Sequence, residues 1–341
     1  MNYKLVILLT LVSCSQSPVR TSLEIHPLEK VPASEAPAIK EILGLVKAGY
    51  GNSKPKAPED QGCVKAEFKI LRDIPSDFRH GVFVDVEKTY PAWIRLSNDN
   101  KRPDGRSLTI KLMGVEGPKL GDESGSQDFL FQSAPNFFAK DVADYVKFMK
   151  RGDELSKKTK LHKRKKRASI KVPAESAPHI KHPLSAEYFS ALPQLIGPQA
   201  MKLHAGPCPD SKLLPTKFFA RFKDDFMRKI LSAQLEDGDA CIEISVQVQK
   251  DDLAMPIENA LIPWDTRLSP FIPVAQILIP KQDFLTEKRK QFCENISFNP
   301  WHAIPEHRPL GGINRVRKLV YEQAQKPNKH SSSEPSPDDK E

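Results

Sequence analysis

The strongest constraint on the fold is an alternation of period two that recurs along the chain. In residues 63–71, CVKAEFKIL, the apolar positions Val64, Ala66, Phe68 and Ile70 alternate with charged ones, as in a strand buried on one face. Residues 90–98, 106–115 and 127–133 follow the same rule, with Gly, Asn and Asp turns between them. Four consecutive strands of this kind pair antiparallel, and residues 241–249 and 274–279 add two more. That count suits an α+β fold: a closed antiparallel β-barrel with helices packed outside it.

The helices are legible from a different period. Ser34 is placed to cap a helix that starts near Glu35, with Ile39, Ile42, Leu43 and Val46 at helical spacing. Residues 138–151 carry an apolar stripe through Val142, Tyr145, Val146 and Phe148, and residues 222–235 and 313–325 are helical by the same test. Residues 49–61 read as a loop, residues 183–200 as a proline-punctuated connection, and the 30 prolines of the chain argue for many such breaks.

With 341 residues, 39% of them hydrophobic, the chain is long enough to bury a sizeable core, and its mean hydropathy of −0.46 excludes a multispan membrane protein. The formal net charge is +9. Lys157, Lys158, Lys160, Lys163, Arg164, Lys165, Lys166, Arg167 and Lys171 supply nine positive charges with no acid among them, so the rest of the chain is formally neutral. Such a run is either a solvated insertion or a contact for an anionic surface, each basic residue near lipid headgroups adding on the order of 1 kcal/mol. It has no interleaved aromatic residues to stack on bases, which argues against nucleic-acid binding.

The N-terminus, MNYKLVILLTLVSC, has one lysine and then an apolar run too short to span a bilayer as a helix, which needs about 20 residues. It reads as an export signal. Leu11-Val12-Ser13-Cys14 resembles a bacterial lipobox, which implies lipidation at Cys14 and stable anchoring by more than one acyl chain. Ser15 is not the aspartate associated with inner-membrane retention, so the expected place is the periplasmic face of the outer membrane. A plain cleaved signal would instead leave a soluble periplasmic protein. The expected organisation is a signal over 1–14, a tether over 15–30, one domain over 31–325 with a basic insertion over 150–173, and a disordered tail over 326–341.

Four cysteines remain after Cys14: Cys63, Cys208, Cys241 and Cys293. They allow three disulfide pairings, while the strand positions of Cys63 and Cys241 favour buried free thiols for those two. There is no Cys-x-x-Cys or His-x-x-x-His spacing for a structural zinc, no Ser-His-Asp order and no phosphate-cradling glycine loop.

Chemistry concentrates near the C-terminal end, in residues 295–325. Arg317 and Tyr321 stand four apart, so on a helix they share a face and the guanidinium can reach the phenol. A fixed positive charge there favours phenolate, a hard oxygen ligand for ferric iron. The words FNPWHAIPEHRPLGGINRVRKLVY, YPAWIRLSN and DFLFQSAPNFFAKD resemble the catalase-like haem protein family over residues 31–325. In that family an Arg-x-x-x-Tyr pair carries the axial ligand of the haem iron, which the resemblance places on Tyr321 with Arg317. It also implies ferric haem b as cofactor, Arg95 with Ser97 near a propionate, and Phe138 and Tyr145, with Phe137, against the macrocycle.

The distal side departs from the pattern. The histidine of the family would fall on Ala57 or Pro58, and the distal amide, an asparagine there, falls on Gln132. Neither alanine nor proline moves a proton. Glu59 or Asp60 as a base, Gln61 as an orienting group, or His80 from the next turn are the candidate replacements, and His302 is expected to be structural. Two readings follow. One is an exported haem oxidoreductase with weak or altered activity on hydrogen or organic peroxides. The other is a non-enzymatic, haem-binding or haem-free envelope lipoprotein that uses the barrel as a binding scaffold. The sequence sets no oligomeric state.

Overall fold

The structure is a computed structural model that describes residues 30–50, 59–98, 106–121, 125–161, 182–216 and 226–325; for 48–50, 59–61, 98, 152–161 and 324–325 it describes the backbone alone. The basic run from Lys163 to Lys171, Cys14, Ala57 and Pro58, and the tail lie outside the described residues.

The alternating segments form β1 (Glu59–Ile70), β2 (Thr89–Asn98), β3 (Arg106–Met113), β4 (Ser126–Gln132), β8 (Ala240–Val248) and β9 (Ile272–Ile279). Three strands were not anticipated: β5 (Tyr188–Phe189), β6 (Gln194–Ile196) and β7 (Gln199–Pro207). Two of these are too short for any periodicity to register, and β7 carries a Gly-Pro end within a proline-rich stretch. All pairings are antiparallel, in the order β5-β4-β3-β2-β1-β9-β8-β7-β6, and β5 also pairs with β7. That last pairing, Tyr188 opposite Ala205 and Phe189 opposite His204, closes eight strands into a barrel and leaves β6 as an outer hairpin partner. The α+β closed barrel expected from the pattern is therefore present.

One side-chain set of each strand fills the interior: Val64, Ala66 and Phe68 of β1, Ile94 and Leu96 of β2, Leu108 and Ile110 of β3, Phe129 and Phe131 of β4, and Ile242 to Val248 of β8 in alternation. Helix α3 (Phe226–Asp237) adds Met227, Leu231 and Leu235 to this core. It approaches β1 at the bulge between Asp60 and Gly62, where a Cβ on residue 62 would lie 2.4 Å from Leu231, so the close approach requires glycine. Helix α4 (Glu287–Asn295), too polar to announce itself by period, lies on the outer face, where Trp93 meets Phe292 at 4.2 Å between ring centroids.

Helices α1 (Ala36–Tyr50), α2 (Val142–Leu161) and α5 (Gly312–Gln325) form a second cluster through Ile39, Ile42, Val46, Val142, Val146 and Val316. Helix α2 runs beyond the expected end at 151 into the basic insertion. Buried Arg315 of α5 ties the bundle to its surroundings, pairing with Glu35 at 2.7 Å and Glu258 at 2.9 Å. None of the helices among the described residues is long and apolar enough to cross a membrane.

Cysteine usage differs from the expectation. Cys63 is joined to Cys293, and Cys208 to Cys241, so neither Cys63 nor Cys241 is a free thiol. Their apolar strand environment was a poor guide because a disulfide is as apolar as a buried thiol. The pairs bridge 230 and 33 residues. Constraint of the unfolded chain alone gives them on the order of 5 and 4 kcal/mol.

Asp128 of β4 is a buried polar group. Its carboxylate meets Lys111 Nζ at 2.9 Å and accepts from the Asn299 backbone N–H at 2.8 Å, with His302 Nδ1 at 3.0 Å. Lys111 and Asp128 are register partners, and both side chains are 2% exposed or less. Removing one member leaves the other charge buried without compensation. Asp128→Ala is therefore expected to lower the unfolding free energy by roughly 3–5 kcal/mol, read by denaturant titration. The paired change Lys111→Met with Asp128→Leu should cost clearly less than the single one. Equal costs would show that charge pairing is not what the site contributes.

Candidate functional site

Helix α5 begins where Gly311, at φ +89°, turns the chain, with the Gly312 N–H donating to Glu258 Oε2 at 2.8 Å. Ile313 and Val316 face apolar neighbours, while Asn314, Arg317 and Tyr321 lie on another face at spacings of three and four. Asn314 is fixed by donating to the carbonyls of Pro193 at 3.0 Å and Leu310 at 2.8 Å, and its own carbonyl accepts from Trp301 Nε1. Its side-chain oxygen accepts from Arg317 at 3.2 Å, which holds the guanidinium in place.

The expected pair forms in an altered way. The Arg317 guanidinium stands 5.6 Å from the centre of the Tyr321 ring, over its face, and no hydrogen bond joins it to the phenol oxygen among the described residues. Asn314 accounts for the difference, since it draws the guanidinium back by one turn. Tyr321 is half-buried.

Phe138 and Tyr145 lie close to this helix. Phe137 and Phe138 stack at 4.2 Å, Tyr145 meets both edge-on, and the group packs with Ala139, Leu192, Ala260 and Ile313 of α5. Helix α2 supplies Tyr145 and the turn after β4 supplies the phenylalanines, so the structure brings these residues to the start of α5.

Arg95, Ser97 and Gln132 occupy the outer face of the barrel, since Ile94, Leu96 and Phe131 take the inner one. Arg95 lies 4.8 Å from the Phe298 ring, in the layer beneath α4. Ser97 Oγ is 2.8 Å from Ser107 Oγ. The register runs Asp60, Ser97, Ser107, Gln132, Phe189, His204 in one row around the wall. Gln132 donates its amide hydrogens to the carbonyls of Asn136 at 2.7 Å and Ala134 at 3.3 Å. That amide closes its own loop, and the N–H groups a distal amide would offer to a substrate are already used.

Glu59 and Asp60 stand in β1 and not in a loop, which corrects the placement from composition; the structure describes only their backbone. His80 is half-buried with its ring against Gly197, whose φ of +56° and lack of a Cβ make the contact. His302 is buried and pairs with Asp128 through Nδ1. Two other imidazoles had no sign in the sequence. His204 is ion-paired or hydrogen-bonded to Glu187 and lies 5.1 and 5.2 Å from Phe189 and Phe271; the two-residue β5 that positions it has no period to detect. His307 is fully buried between Phe83 and Phe129, accepting from the Val82 N–H at 3.0 Å through Nε2.

The proximal elements fit a haem: a half-buried phenol whose oxygen is not engaged in a protein hydrogen bond among the described residues, and a cation beside it. The amide on the distal side does not fit, because its donors are committed. No group of three or more metal-ligating side chains occurs among the described residues.

Burial pushes both His307 and His182 down to about 4 by desolvating the charged ring. The unfolded chain therefore takes up these protons first, near pH 6.5, while the folded state resists until about 4. The stability they contribute is complete above pH 6.5 and is lost as the pH falls from there towards 4, by up to roughly 3 kcal/mol for each group. Unfolding titrations between about pH 8 and 4 should show a plateau and then this fall. A flat profile down to about pH 4 would contradict the burial of both rings.

No family model and no curated protein matches this sequence. Solved structures do match in fold. A fungal catalase shares 15% identity with a TM-score of 0.54, over 82% of this chain and 60% of that one. A bacterial catalase gives 15% and 0.55 over 89% and 62%, and catalase A from Saccharomyces cerevisiae gives 14% and 0.52 over 82% and 61%. The chain thus has a catalase-like fold and spans about three fifths of the length of each of these catalases.

Proposed function

We propose that the protein is an exported haem-binding protein that holds ferric haem b through Tyr321 and acts only weakly, or in an altered way, on hydrogen or organic peroxides. The observation that carries this reading is the Arg317–Tyr321 pair on α5, set within a catalase-like fold and beside the Phe137, Phe138 and Tyr145 cluster. Tyr321 would be the axial ligand. Arg317, held by Asn314, places a positive charge over the ring. Arg95 and Ser97 are the candidates for holding a propionate, and Phe138 and Tyr145 for lying against the macrocycle.

Ferric haem with an oxygen ligand supplies the electron-transfer chemistry that peroxide cleavage needs. Moving a proton between the two peroxide oxygens is left to the protein, and a positioned base is worth roughly 100- to 10,000-fold in such a step. Gln132 exchanges no proton at neutral pH and has its N–H groups engaged, and Glu59 and Asp60 are the remaining candidate bases on β1. Weak turnover follows from that shortage.

Export is supported by the two disulfides, which persist in oxidising compartments. Together with the lipobox-like Cys14, they favour a lipoprotein at the periplasmic face of the outer membrane, with the basic run around Lys163 as a contact for anionic headgroups.

Haem titration of the mature protein tests the reading. The wild type is expected to take up one haem per chain with a ferric tyrosinate-type absorption spectrum, and Tyr321→Phe to lose that spectrum and most of its affinity. Absence of uptake by the wild type would leave the barrel as a haem-free scaffold. Ala57→His should raise oxygen release from hydrogen peroxide by about 100-fold or more. No gain would mean that residue 57 does not face the distal side.

A further inference from the structure

The two disulfides sit in opposite surroundings. Cys63 and Cys293 are each 3% exposed and lie among Trp93, Phe292, Ile296 and Phe298, with α4 over them. Cys208 and Cys241 instead line an open groove of about 590 Å³ on the outer face of the barrel. The register places Cys241 beside Leu278, and Leu278 beside Glu67, so the sulfur, an exposed leucine and a carboxylate follow one another across β8, β9 and β1. Cys241 is the half-buried member of the pair and Cys208 the buried one.

We infer that Cys208–Cys241 is a thiol-exchange site that takes a thiol reductant from this groove, whereas Cys63–Cys293 is a structural bond. A thiolate entering the groove attacks Cys241 Sγ, the sulfur of the more exposed residue. The sulfur–sulfur bond breaks as the new one forms, and Cys208 leaves as a thiolate that takes a proton from water. A second thiol then attacks the mixed disulfide, so two thiols become one disulfide while the protein pair becomes two thiols.

The fold permits this without unfolding. Seven register pairs, from Met201 opposite Val248 to Pro207 opposite Ile242, hold β7 to β8, and the Cys208 N–H donates to the Cys241 carbonyl at 3.3 Å. The barrel stays closed when the sulfurs part. The groove also selects its reductant. Among the described residues, Glu67, Asp210 and Asp239 line it against one lysine, Lys212, with Leu213 and Leu278 as apolar surface. A cationic thiol is favoured over an anionic one, and the preference weakens with salt.

The test is differential alkylation of the folded protein at graded thiol concentrations, with peptide mass spectrometry at each cysteine and tryptophan fluorescence as the monitor of folding. Cys208 and Cys241 are expected to label at least about tenfold faster than Cys63 and Cys293 while the fluorescence stays native. Labelling of all four at one rate together with loss of native fluorescence, labelling of Cys63 and Cys293 first, or no labelling at all would overturn the inference. Relative to a small-molecule disulfide, cysteamine should outpace 2-mercaptoethanesulfonate several-fold at low salt, and Asp210→Asn should shrink that ratio. A ratio of one would remove the cationic preference. Ser substitution of Cys208 and Cys241 together should leave haem uptake unchanged, which separates this site from the haem reading.

Discussion

The buried carboxylate of Asp128 is the constraint on which the placement of α5 depends. It holds Lys111 of the neighbouring strand, the Asn299 N–H and the His302 ring at once. Because two of these partners belong to the segment that leads into α5, one charge on β4 fixes both the sheet and the approach to Tyr321. The same segment is laced further along its length. Ile304 donates to Gln127, Leu195 to the Arg308 carbonyl, and Leu310 to the Pro193 carbonyl. A helix entered through so many backbone bonds has little freedom of rotation, and so the face that carries Arg317 and Tyr321 is set before any ligand arrives.

The barrel likewise depends on a few contacts. Its closure rests on the short β5, whose two residues meet β4 through Gln132 and β7 through Ala205 and His204. Closing the sheet there removes two open edges, the general hazard of a long antiparallel sheet. It also explains why Gln132 is not available as a free distal amide: it stands at the seam, where its loop must be held. The residues on which the haem proposal rests and the committed amide that weighs against peroxide turnover thus belong to one framework.

Much of this was readable in the sequence, where a side chain has a period. Val64, Ala66, Phe68 and Ile70 face the core as their alternation required, and Ile39, Ile42 and Val46 face the other helices as their spacing required. The same reasoning failed where contact and not period decides. β5 has two residues, α4 is nearly all polar, and the disulfides join positions 230 and 33 apart, so none leaves a local signature. The Arg317 and Tyr321 spacing correctly put both on one face, yet Asn314, three residues earlier than Arg317, decides that the guanidinium lies over the ring. The buried His307 sits against Gly81, far away in the chain, and the His204–Glu187 contact depends on Gly206 and on the two-residue β5.

The most direct test of the central claim is resonance Raman spectroscopy of the ferric haem complex, with excitation into the charge-transfer band. Enhanced phenolate ring and iron–phenolate modes that shift when tyrosine is isotopically labelled, and that vanish in Tyr321→Phe, are the predicted result. A complex whose spectrum carries only imidazole or water ligation, unchanged by the Tyr321 substitution, would contradict it.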